Sequence, residues 1–149
     1  MKWKLVLLAC TLLGAMNLVT SLPVSAQLYW NNAAAFNGAS RVSFQNATAI
    51  NLTGSFTLEA WVNPSQAPTI RAGVIAKESE SGFRQYALSL NTSGGLELGT
   101  NGVTRLTSKT TSVIQNNLWT HVAGTYNSAT NLFSIYINGA LDTTTTVPS

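Results

Sequence analysis

The chain has 149 residues, of which 45% are hydrophobic and only 9% charged, with a formal net charge of +3. That is enough apolar material for one buried core and too apolar a composition for a disordered chain. Without Lys2 and Lys4, which open a segment expected to be removed, +3 falls by two to +1, and that balance gives no reason to invoke nucleic acid or an anionic membrane surface.

Residues 1–26 read as a secretory signal. Lys2 and Lys4 form the positive start, Leu5 to Leu13 an apolar run, and Val24-Ser25-Ala26 a small-residue cleavage site, so Gln27 becomes the mature N-terminus. The run is shorter than the roughly 20 apolar residues of a spanning helix, so no membrane insertion is expected after the signal is removed. Cys10 is the only cysteine. It follows Leu7-Leu8-Ala9 as in a lipoprotein signal, the alternative reading, but few apolar residues precede it. The mature chain then has no cysteine and relies on its core rather than on disulfides. This points to a secreted or cell-surface protein, more in keeping with a bacterial extracellular or periplasmic one.

Beyond the signal, short alternating runs follow one another. Ala33 to Phe36 and Arg41 to Phe44 read as strands. Phe56 to Val62 alternates, with Phe56, Leu58, Ala60 and Val62 on one face and Thr57, Glu59 and Trp61 on the other. Pro64 and Pro68 bound the loop that follows. Ala72 to Lys77, Gln85 to Leu90, Leu96 to Gly99 and Val103 to Lys109 are further strands, separated by the polar turn Glu78 to Gly82, by Gly94-Gly95 and by Asn101-Gly102. Asn46, Asn51 and Asn91 begin Asn-x-Thr or Asn-x-Ser sequons of the kind that Asn- and Thr-rich loops produce by chance.

The strongest stretch is Trp119 to Tyr126, a polar break over Asn127 to Asn131, then Leu132 to Gly139. Both halves are rich in β-branched and aromatic residues. Val122, Gly124 and Tyr126 share a face, as do Phe133, Ile135 and Ile137. Trp119, His121 and Ala123 take the opposite side. Asn138-Gly139 accepts positive φ and turns the chain into a third strand, Ala140 to Thr146. No helical period appears after the signal, so the expectation is an antiparallel two-sheet sandwich.

Three motifs carry a resemblance. Trp119-Thr120-His121-Val122-Ala123-Gly124-Thr125-Tyr126 with Tyr136-Ile137-Asn138-Gly139, Phe56-Thr57-Leu58-Glu59-Ala60-Trp61-Val62, and Ala35-Phe36-Asn37-Gly38 resemble, in order, motifs of the laminin-G-like, concanavalin A-like jelly-roll domains. The resemblance implies an all-β jelly roll over residues 27–149. That family continues past its Asn-Gly strand to a closing strand, and no such motif occurs here, so an incomplete domain is expected, either part of a longer chain with further domains or completed by a neighbour.

His121 is the sole histidine. A zinc site needs three or four ligands, so a structural role is expected. The carboxylates are Glu59, Glu78, Glu80, Glu97 and Asp142. Glycoside hydrolysis needs two of them across one bond, and only Glu78 and Glu80 are close in sequence, inside a polar turn. No catalytic residue and no cofactor are assigned. Glu78 and Glu80 with loop carbonyls are the low-odds calcium ligands, because Asn37 and Arg41 stand where the family shows acids. Trp61 and Trp119 occupy motif positions and are expected in the core. Trp30 lies outside the motifs and is the candidate ligand-binding aromatic.

These expectations amount to an exported, non-catalytic binding or adhesion module that takes a glycan or protein ligand. The alternatives are a carbohydrate-active enzyme using Glu59 with Glu78 or Glu80, or a structural domain of a larger surface protein without its own ligand.

Overall fold

The computed structural model describes residues 3–6, 33–38, 40–43, 48–78, 84–101 and 103–148, with only the backbone of 3–6, 78 and 84. The chain is built of β1 (Trp3–Val6), β2 (Ala34–Phe36), β3 (Phe56–Pro64), β4 (Ala72–Glu78), β5 (Arg84–Leu90), β6 (Leu96–Thr100), β7 (Val103–Thr107), β8 (Thr120–Asn127), β9 (Leu132–Ile137) and β10 (Ala140–Thr146). They form a six-stranded sheet in the order β10-β9-β8-β3-β1-β2 and a four-stranded sheet in the order β4-β5-β6-β7. Every pairing is antiparallel.

The alternation seen in the sequence sets the core. Leu58, Ala60 and Val62 of β3, Val122 of β8, and Phe133 and Ile135 of β9 face inward from the larger sheet. Tyr86, Leu88 and Leu90 of β5, Leu96 and Leu98 of β6, and Leu106 of β7 meet them from the smaller one. Leu88, Leu90, Leu96, Leu98, Val122 and Ile135 are fully buried. The two sheets meet tightly at Gly124, where a Cβ would lie 2.9 Å from Leu98 Cδ1 and 3.1 Å from Leu88 Cδ1. Only glycine leaves room there for both leucines.

Turn chemistry behaves as its residues dictate. Asn138 and Gly139 both take positive φ, 51° and 79°, the geometry that matches strand twist in a tight hairpin. Asn91 Oδ1 accepts from the amides of Ser93 and Gly95, at 3.0 and 2.9 Å, and so holds the turn between β5 and β6. Tyr86 Oη donates to the Ile50 carbonyl at 2.8 Å and ties the single helical turn Thr48–Ile50 to the sandwich. Burial raises the pKa of that phenol.

One sequence expectation about the strands needs correction. Arg41, Val42 and Ser43 are exposed and outside any strand, so their alternation is not read by a partner. The leader also contributes to the sheet: β1 lies inside the segment read as an export signal, between β2 and β3. The rest of residues 1–26, including Cys10, lies outside the described residues.

Candidate functional site

The outer face of the six-stranded sheet carries the side chains that the core does not take. Along β3 these are Thr57, Glu59, Trp61 and Asn63. Register places Trp61 opposite His121, Glu59 opposite Ala123 and Thr57 opposite Thr125. Ala123 is in turn opposite Tyr136 of β9. A row Glu59–Ala123–Tyr136 therefore crosses three strands with its smallest residue in the middle. Ala123 becomes the floor of a notch, 6% exposed, with Glu59 and Tyr136 on two sides and His121 and Thr125 on the others.

Trp61 borders this notch. Its ring centroid lies 5.3 Å from that of His121, with the planes tilted by 55°. His121 Nε2 stands 3.6 Å from Glu59 Oε2, an ion pair only when the imidazole is protonated and longer than a hydrogen bond. The His121 amide donates to Asn138 Oδ1 at 3.0 Å and its carbonyl accepts from the Asn138 amide at 2.8 Å. These bonds lock the strand beneath the ring. Further along β3 and β8, Ser55, Phe56, Thr57, Thr125, Tyr126 and Asn127 line a shallow open depression of about 510 Å³.

Trp61 and Trp119 are 40% and 37% exposed, which corrects their expected place in the core. Their motif positions belong to strands whose inward residues are Ala60, Val62, Thr120 and Val122. The parity that pairs Trp61 with Thr57 and Glu59 is the signal that locates it outside. His121 lies within β8, with its side chain on the outer face of the sheet and 22% exposed.

The outer face of the four-stranded sheet is chemically closed. Arg71 forms an ion pair with Glu97. It also donates through Nε to Ser89 Oγ at 3.1 Å and through Nη2 to Thr104 Oγ1 at 2.6 Å. The guanidinium spans three strands and its charge is balanced on the spot.

Asp142 sits where β10 slips register between Leu141 and Thr143. Its Oδ2 accepts from the Lys109 amide at 2.7 Å, and its Oδ1 accepts from the Thr110 amide at 3.2 Å and from the Thr110 hydroxyl. Burial pushes this carboxyl upward, but the Thr110 hydroxyl, the two amides and the Lys109 charge outweigh it and hold the pKa below its ordinary 3.8. Asp142 thus stitches the exit of β7 to the edge of the larger sheet.

Of the other candidates from the sequence, Trp30 and Glu80 lie outside the described residues, as does the side chain of Glu78. The backbone of Glu78 ends β4. Among the described residues no three His, Cys, Asp or Glu side chains gather to hold a metal ion.

A family model described as the concanavalin A-like lectin/glucanases superfamily matches residues 36–149. No curated protein matches the sequence. Among solved structures, a candidate carbohydrate binding protein from Bacteroides ovatus ATCC 8483 is 24% identical with a TM-score of 0.50, over 62% of this chain and 26% of that one. The CBM40 of Ruminococcus gnavus IT-sialidase, bound to α2,3-sialyllactose, is 14% identical with a TM-score of 0.48, over 64% of this chain and 54% of that one. The chain thus spans about a quarter of the first and about half of the second, and what it shares with the first is the fold. The family match runs from the last residue of β2 through β10 and takes in the whole four-stranded sheet and β3, β8, β9 and β10 of the larger one. The chain belongs to the concanavalin A-like lectin/glucanases superfamily.

Proposed function

We propose that this domain is an exported, non-catalytic module that binds carbohydrate on the outer face of its six-stranded sheet. The observation that carries the reading is Trp61, 40% exposed on a rigid strand next to an alanine-floored notch. An indole face offers a sugar ring an apolar platform, and neighbouring polar edges fix the hydroxyls. Glu59, His121, Asn63 and Thr125 supply those edges. The platform is preorganised by the β3–β8 ladder, so little side-chain ordering opposes binding. The resemblance to the Bacteroides ovatus protein, itself a candidate carbohydrate binder, supports the ligand class.

The non-catalytic part rests on where the carboxylates stand. Glu59 and Glu97 occupy opposite outer surfaces of the sandwich, and Asp142 is engaged at the edge between β10 and the exit of β7. A glycosidase needs two carboxyls about 5–10 Å apart across one groove. The described side chains supply no such pair.

A glycan array with the exported protein and its Trp61→Ala variant tests the reading. Saturable binding to a defined glycan set, lost in Trp61→Ala at unchanged melting temperature, is expected. Glycan binding that survives the substitution would move the site elsewhere, and product release from a bound oligosaccharide would return the domain to the enzymes.

A further inference from the structure

The charge on the notch is unbalanced. Glu59 is half-exposed, its side chain 51% accessible, and among the described residues its one ionic neighbour is His121 at 3.6 Å. The strands of the six-stranded sheet carry one lysine and no arginine: Lys4 of β1, in the leader segment that the sequence marks for removal. The opposite outer face is the reverse case, since Arg71 there is neutralised by Glu97. A half-exposed carboxylate with no lysine or arginine beside it among the described side chains attracts a cation through Coulomb's law. It repels carboxylate-bearing sugars for the same reason.

Resting on the glycan reading above, we propose that this notch selects amino sugars bearing a free ammonium. Trp61 and Glu59 stand two residues apart on one strand face, which sets their Cα atoms roughly 6.6 Å apart. A pyranose stacked on the indole can therefore extend a ring substituent toward the carboxylate over the Ala123 floor. An ammonium placed there pairs with Glu59 Oε. An N-acetyl group keeps the ring stacking and loses the charge. A sialic or uronic acid brings like charge to Glu59. Discrimination thus comes from one side chain, and ring affinity from another.

The test compares three probes on the exported protein by titration calorimetry: chitosan oligosaccharides, chitin oligosaccharides of equal length, and α2,3-sialyllactose. Chitosan is expected to bind at least tenfold tighter than chitin, with the gap shrinking as salt is raised, and sialyllactose to bind weakest. Glu59→Gln is expected to bring chitosan down to the level at which the same variant binds chitin and to abolish the salt dependence of the gap. Its exposed position keeps the fold intact, and a matching melting temperature checks that. Equal affinity for chitosan and chitin, or a chitosan preference that Glu59→Gln leaves untouched, overturns the selectivity while the glycan reading stands. Failure of all sugars, with Trp61→Ala indistinguishable from wild type on a broad array, overturns both.

Discussion

Trp61 and His121 are direct cross-strand partners on the outer face of β3 and β8, their ring centroids 5.3 Å apart. Trp61 is 40% exposed and stands outside the core cluster, so removing the indole leaves the core between the sheets intact. Trp61→Ala is expected to shift unfolding free energy by no more than about 0.5 kcal/mol, the ordinary range for exposed positions, while removing glycan affinity. Parallel thermal melts and binding titrations check both halves.

The inward face should behave oppositely. Ile135 is fully buried among the leucines of the facing sheet, and Ile135→Ala is expected to cost about 2–5 kcal/mol. Gly124→Ala adds a Cβ within 2.9 Å of Leu98 and is expected to cost about 1–3 kcal/mol by overpacking. Chemical denaturation measures both. An unchanged midpoint for Ile135→Ala would mean that the faces of β9 are reversed.

Asp142 supplies a pH signature. Its folded pKa is depressed, so its contribution is present above the ordinary carboxylate value of 3.8 and is lost as pH falls through the lower folded value. Asp142→Asn is therefore expected to melt below wild type at neutral pH, with the difference closing below about pH 4. A gap that stays constant from pH 7 to pH 3 would show that the carboxylate charge is not what holds Lys109 and Thr110.

The hairpin from β8 through β10 was legible residue by residue, because period-two alternation and Asn-Gly turn chemistry act locally. The inward sets of β3, β5 and β9 followed from the same period. The site was less legible. Ranking Trp61 by its size and motif position put it in the core, although its parity with Thr57 and Glu59 already marked the other face. The notch around Ala123 depends on β3 meeting β8 across more than fifty residues of chain, and cross-strand register at that range is written in no local pattern. Arg71 was silent for the same reason: Ser89, Glu97 and Thr104 reach it only through sheet pairing.

The leader gives a further prediction. Processing between Ala26 and Gln27 would remove β1, among the described residues the only strand paired with β2, and leave β3 with an unpaired edge at Trp61 to Pro64. Open edges of this kind recruit other strands. Exported protein whose N-terminus reads Gln27 is expected to self-associate or to take up a strand from elsewhere, as size-exclusion chromatography of sequenced material would register. A mature chain that begins at Cys10 would replace this with lipoprotein processing.

The account turns on which surface meets the sugar, and the most direct measurement follows side chains during a titration. With the exported protein isotopically labelled, the Trp61 indole N–H and the Ala123 and Thr125 amides are expected to shift saturably as a bound oligosaccharide is added, with the Arg71 guanidinium, Ser89 and Thr104 unmoved. Saturable shifts at Arg71, Ser89 and Thr104 with Trp61 stationary would contradict it.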